Sequence, residues 1–174
     1  PVINSPTPTA PYTTICYSGI SGPITGGTPT GGFNGYTYQW QEALNTGSFT
    51  NIIGATDVNY DPGSFTNTSS VPELHRYRRV VTSNGCTVNG PEITITVNPR
   101  PTLTSASTVT TCSNNLFTYT PISSVTGTTF TWTRAVVAGI SNTATAGVGA
   151  VNETLINTTT APVNVVYVYT LTAN

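Results

Sequence analysis

Tyr36-Thr37-Tyr38-Gln39-Trp40-Gln41-Glu42 decides how this chain is read. Its strict alternation places Tyr36, Tyr38 and Trp40 on one face of an extended segment and Thr37, Gln39 and Gln41 on the other. A period of two belongs to a strand with one buried face. The motif returns as Phe130-Thr131-Trp132, and other residues return with it. The first copy runs Cys16, Tyr38-x-Trp40, Tyr77 and Ser83-Asn84-Gly85-Cys86, then closes on an apolar run over 93–97. The second runs Cys112, Phe130-x-Trp132 and Tyr167 and reaches Ala173-Asn174. Laying Asn174 on Asn84 gives 174 − 84 = 90, and Tyr167 against Tyr77 gives 167 − 77 = 90. One module is written twice. The second copy is expected to lack its last strand, with a turn, a cysteine and that strand following Asn174.

Working outward, Gly26-Gly27-Thr28-Pro29-Thr30-Gly31-Gly32-Phe33-Asn34-Gly35 makes a long turn before the aromatic strand. Further strands are predicted over 49–53, 59–65, 74–82 and 92–97, the last two joined by a tight hairpin at Ser83-Asn84-Gly85-Cys86. Nothing has a helical period. Short strands closely spaced between turns predict an all-β chain of β-sandwich modules. Asn98-Pro99-Arg100-Pro101 then interrupts the sheet with two prolines, which cannot donate ladder hydrogen bonds. The expected organisation is a first module over 1–98, with 1–8 a junction of the same Pro-rich kind, a linker over 99–101, and a second module over 102–174. A short linker stiffened by proline predicts modules placed end to end as a rod. In the second copy strands are predicted over 102–111, 116–122, 128–134, 151–157 and 164–172, and small residues over 138–150 replace the middle strands of the first.

Composition limits what such modules do. Only 6% of the residues are charged, and all five basic residues are arginines. With a net charge of −1 the chain has no field to draw in phosphate backbones or anionic lipid, so nucleic acid is not an expected partner. No apolar stretch approaches the roughly 18 residues of a membrane span, so no membrane insertion is expected either. Nine Tyr, five Phe and two Trp within 37% hydrophobic residues are enough to build cores. Trp40, Tyr77, Trp132 and Tyr167 are the expected core aromatics. Three cysteines at repeating positions, with a fourth expected past the end, fit one disulfide per module in an oxidising compartment.

Candidate sites are sparse. A lone His75 among six scattered carboxylates offers no acid and base pair, so no catalytic residue and no cofactor is expected. Asp57-Val58-Asn59-Tyr60-Asp61 has the alternating oxygens with which calcium loops begin, but Pro62 stands where such a loop needs glycine and no acidic residue closes it. Asn67-Thr-Ser, Asn152-Glu-Thr and Asn157-Thr-Thr match glycosylation sequons, as chance provides in a threonine-rich chain. Arg76 and Arg78 read as solvated edge residues. The face shared by Tyr77, Arg79 and Val81 sets Arg79 over Trp40 or beside Glu42. Tyr12, Tyr17 and Phe33 are the loose aromatics available for a sugar surface.

Trp40, the run Ile53-Gly54-Ala55-Thr56 with Tyr60, and Tyr77 with the Asn84-Gly85 turn resemble immunoglobulin-like domains. Ile24-Thr-Gly-Gly-Thr-Pro29, Tyr60-Asp-Pro-Gly63 and Tyr77-Arg-Arg-Val-Val-Thr-Ser-Asn-Gly-Cys86 are more closely similar to repeats of very large surface proteins of Bacteroidota, of which the SprB-type gliding adhesins are the best known. Thr111-Cys112, Phe130-Thr-Trp132 and Val166-Tyr-Val-Tyr-Thr-Leu171 resemble the PKD-like modules of the same proteins. The resemblance implies a cell-surface filament exported by the type 9 secretion system and used in adhesion and gliding. Its implied partners are neighbouring repeats of the chain, the secretion and attachment machinery, and surface glycans. An accessory carbohydrate-binding or spacer module of a secreted polysaccharide-degrading enzyme is the alternative. Where the immunoglobulin pattern has Tyr-x-Cys this chain has Tyr77-x-Arg79, so the inter-sheet disulfide of that family is absent. A bond from Cys86, in the hairpin turn, to Cys16 is expected in its stead, with Cys112 unpaired for want of its partner.

Overall fold

The computed structural model describes residues 2–33 and 35–173. Asn34 in the long turn, Asn174 of the repeat alignment and Pro1 of the junction lie outside the described residues. The chain divides into two compact units, Pro1–Arg100 and Pro101–Asn174. Every element among the described residues is a strand, and the fold is all-β, of the immunoglobulin-like sandwich kind.

In the first unit, β1 (Thr14–Ile15), β2 (Thr37–Leu44), β3 (Thr50–Asn51), β4 (Glu73–Ser83) and β5 (Cys86–Val97) form one sheet in the order β1-β5-β4-β2-β3. β4 and β5 are a hairpin closed by Ser83 opposite Cys86. Asn84 (φ 47°) and Gly85 (φ 80°) both take the left-handed conformation that the two-residue turn needs. The ladder slips between Arg78 and Val80, where Gly90-Pro91 on β5 cannot keep register. Opposite this sheet lies a layer of extended segments tied by single bridges, Asn4 to Thr30, Thr9 to Thr25, Ile24 to Tyr60 and Ile20 to Ser64. The strand expected over 59–65 is reduced to two of these bridges, because Pro62 lacks the N–H a ladder requires. Between the layers sit Ile15, Ile24, Trp40, Phe65, Tyr77, Ile93, Ile95 and Val97.

The second unit has a sheet of β7 (Thr129–Arg134), β8 (Thr145–Val148) and β10 (Tyr167–Thr172), in the order β10-β7-β8, and a pair of β6 (Leu116–Tyr119) with β9 (Val151–Thr154). The two layers meet through Phe117 stacked on Tyr167 and Tyr119 tilted on Tyr169, each pair with centroids 5.8 Å apart. The stretch 138–150 is not a gap in the sheet, since β8 lies within it. Gly147 is opposite Trp132, and a Cβ there would strike the indole ring, so the small residue makes room for the large one. Over 102–111 only Leu103 is bridged, to Ser123.

Candidate functional site

The two units share a ladder. Tyr38 faces Val81, Trp40 faces Arg79 and Glu42 faces Tyr77 across β2 and β4. Phe130 faces Leu171, Trp132 faces Tyr169 and Arg134 faces Tyr167 across β7 and β10. The first strand is displaced by 130 − 38 = 92 residues and the second by 167 − 77 = 90, so both ladders hold the same register. Trp40, Tyr77 and Trp132 are buried and Tyr167 is half-buried. Tyr60 lies between Trp40 and Tyr77, with centroids 6.0 and 5.8 Å away, and Trp132 stands edge-on to Tyr167 at 5.5 Å. Burial raises the Tyr77 pKa, with smaller contributions from Tyr60 and Glu42.

Each ladder buries an arginine. Arg79, 1% exposed, donates from Nη1 to the Val58 carbonyl at 2.8 Å and from Nη2 to the Gly27 carbonyl at 2.9 Å. Its guanidinium lies 4.5 Å from the Tyr38 ring centroid and 5.9 Å from that of Trp40, and it makes no ion pair with Glu42. Burial lowers its pKa against a smaller upward pull from Tyr38. The loop passes so close that a Cβ on Gly26 would strike both the Val58 carbonyl and Nη1. Arg134, 2% exposed, grips Glu153 with Nε to Oε2 at 2.9 Å and Nη2 to Oε1 at 2.5 Å. The Tyr167 hydroxyl donates to the same carboxylate at 2.6 Å. Burial pushes the Glu153 pKa up, but the hydrogen bonds from Arg134 and Tyr167, with the arginine charge, leave it below the ordinary value.

A second shared feature precedes β4 and β10. Asn67 accepts from the Ser69 N–H and hydroxyl, and its Nδ2 donates to the Val71 carbonyl at 2.8 Å, which the Ser69 hydroxyl also reaches. Asn157 accepts from the Thr159 N–H and hydroxyl, and its Nδ2 donates to the Ala161 carbonyl at 2.8 Å, which the Thr159 hydroxyl also reaches. Here too 157 − 67 = 90. Asn67-Thr-Ser-Ser-Val-Pro72 and Asn157-Thr-Thr-Thr-Ala-Pro162 are therefore one loop used twice, not chance sequons. The signal lay in their spacing, equal to the repeat. Asn67 is also 1% exposed and donates to the Val97 carbonyl at 2.7 Å. The Arg134 and Glu153 pair had no such signal, because the first copy has Glu42 where the second has Arg134.

The expected Cys16 to Cys86 disulfide is overturned, since all three cysteines are free and exposed. Ile15 lies opposite Val97, whereas Cys86 opens the same strand 97 − 86 = 11 residues away. At about 3.3 Å per residue the thiols are roughly 35 Å apart, against the ~4–7 Å between the Cα atoms of a disulfide. Arg76 and Arg78 are not free edge residues either. They lie over the Phe49 ring at 5.0 and 4.2 Å, and Arg76 pairs with Glu92 at 3.2 Å. The oxygens of 57–61 are engaged within the fold: the Asp57 carbonyl accepts from Trp40 Nε1 at 3.1 Å, Asn59 Oδ1 from the Gly26 N–H at 3.1 Å, and Asp61 Oδ1, in an exposed turn, from the Gly63 N–H at 2.9 Å. His75 stands edge-on to Phe65, 3.7 Å from Glu73, beside a shallow cleft of about 340 Å³ that it lines with Glu42 and Tyr77. Tyr12 and Phe33 are exposed, and Arg100 lies over the half-buried Tyr17. Among the described residues no three His, Cys, Asp or Glu side chains gather as a metal site, and no helix is long and apolar enough to cross a membrane.

Residues 7–99 match the family described as a domain of unknown function (DUF8696), and residues 109–174 match the PKD-like domain. The first match spans more than half of the 174 residues, and the chain belongs to that family. A PKD-like domain is compatible with an extracellular repeat module, and neither match is to a catalytic family. No curated protein and no solved structure matches the chain.

Proposed function

We propose, with membership of that family and a PKD-like second unit as the premise, that the chain is a stretch of a long extracellular filament of the SprB type. In this reading the filament is exported by the type 9 secretion system and serves adhesion and gliding at the cell surface. The observation that carries it is repetition of framework without repetition of sequence. Two units keep one Trp-bearing ladder in register and one asparagine loop at a constant spacing of 90, while the side chains around them differ. Such units gain length by addition, because each has a core of its own. The shared aromatic and asparagine residues hold strands and loops together. Antibodies raised against residues 1–174 test the reading on intact cells of the producing organism. Surface threads should be labelled, and antibody-coated beads should attach and be carried along the cell. Labelling that requires permeabilised cells, or co-purification with a polysaccharide hydrolase, would overturn it in favour of an internal protein or an enzyme accessory module.

A further inference from the structure

In the first unit the second edge of β4 is covered by β5, with Glu73 opposite Val97, His75 opposite Ile95 and Tyr77 opposite Ile93. On this strand, paired on both sides, Tyr77, Arg79 and Val81 are at most 3% exposed. β10 holds the place of β4 in the second unit, paired to β7 on one side, and among the described residues no strand lies on its other side. Tyr167, Tyr169 and Leu171, which correspond to those three residues, are only half-buried. Independently of the sheet, Asn67 spends its second Nδ2 hydrogen on the carbonyl of Val97, the last residue of β5. Asn157 makes the same loop but donates from Nδ2 to Ala161 alone. Natural sheet edges are usually blunted by charge or proline, and Tyr167-Val-Tyr-Thr-Leu-Thr172 contains neither.

We infer that the free edge of β10, with the residues just before it, is an acceptor site for one antiparallel β-strand of the chemistry of the end of β5, residues 93–97, an uncharged segment alternating β-branched aliphatic residues with threonine. Adding 90 to the β4 register sets its three inward residues opposite Tyr167, Val165 and Val163, and brings its last carbonyl to Asn157 Nδ2. Main-chain hydrogen bonds supply the affinity, and the inward aliphatic residues supply the specificity. A second copy of β10 fits less well, because it would bring tyrosines into space that the first unit fills with isoleucine. The inference stands apart from the filament reading, since it depends on one unit's edge and not on where the protein resides.

The test uses the whole chain and a synthetic peptide of residues 86–97 carrying C86S. At saturating peptide every second amide of 163–172 should exchange at least tenfold more slowly, with exchange in β4 unchanged. Asn157→Asp keeps the oxygen that receives Thr159 and removes the Nδ2 donors, and it should weaken the peptide by about fivefold. The inference is overturned if exchange in β10 does not slow, or if a peptide with Ile93 and Thr94, and Ile95 and Thr96, exchanged in order slows it equally. Protection of β10 without peptide, accompanied by dimerisation in sedimentation, would overturn it too and assign the edge to a second copy.

Discussion

Arg79 and Arg134 sit on neighbouring rungs of the shared ladder, and they are held differently. Arg134 has a carboxylate besides the carbonyls of Ala135 and Thr143, and Arg79 has only two carbonyls and two ring faces. Removing one partner of a buried ion pair leaves the other charged without compensation, which costs about 3–5 kcal/mol. Glu153→Gln should therefore destabilise the second unit by about that amount in denaturant titrations. The same variant should change the response to acid. Because the folded-state pKa of Glu153 is depressed, its contribution is complete above the ordinary value of 4.5 and is lost as pH falls through the folded value. The second unit should thus lose stability below about pH 4.5, and Glu153→Gln should flatten that part of the profile. Arg79→Ala strands two carbonyls and opens a cavity beside Trp40, at a cost of about 3 kcal/mol. Arg79→Lys should recover little, because an ammonium has no planar fork with which to reach Val58 and Gly27 together.

Among the elements, the asparagine loops invite the sharpest comparison, because one loop occurs in two settings. Asn67→Ala should cost the first unit about 2–3 kcal/mol, since it frees the loop and also the Val97 carbonyl at the end of β5. Asn157→Ala should cost the second unit less, its side chain having no such bond to a strand end. Module-resolved hydrogen exchange measures both. The same elements mark how far the sequence could be read. β2, β4, β7 and β10 were legible because an alternating pattern beside a turn is local information, and the Asn84-Gly85 hairpin was legible for the same reason. β1 was not, because two residues acquire strand character only from parallel pairing with Thr96 and Val97, some eighty positions on. β8 hid behind Ala, Gly and Thr, whose smallness is explained only by the indole across the ladder. The supposed disulfide failed for a related reason. Spacing along the chain fixed the size of the loop but not which end of β5 each thiol occupies.

For the molecule as a whole, the question is what holds each unit without a covalent staple. The three thiols are free and exposed, so native protein should react with a thiol reagent at all three, and reductant should leave its melting unchanged. Stability must then follow the cores, and these are unequal. The first unit buries Ile3, Ile15, Ile24, Trp40, Ala43, Phe65, Tyr77, Val81, Ile93, Ile95 and Val97. The second buries Val125, Trp132, Val151 and Leu155, with the Arg134 and Glu153 pair beside them. Burial of apolar surface is the main favourable term in folding, so the smaller core should melt first. Calorimetry of the whole chain should show two transitions, the lower belonging to residues 101–174. Truncating a buried tryptophan costs about 3–5 kcal/mol, which gives each transition its own label. Trp132→Ala should abolish or lower the first transition and leave the second in place, whereas Trp40→Ala should lower the second. A single transition that shifts with either substitution would mean that the two cores melt as one, and the modules would not be the autonomous units from which a filament gains length.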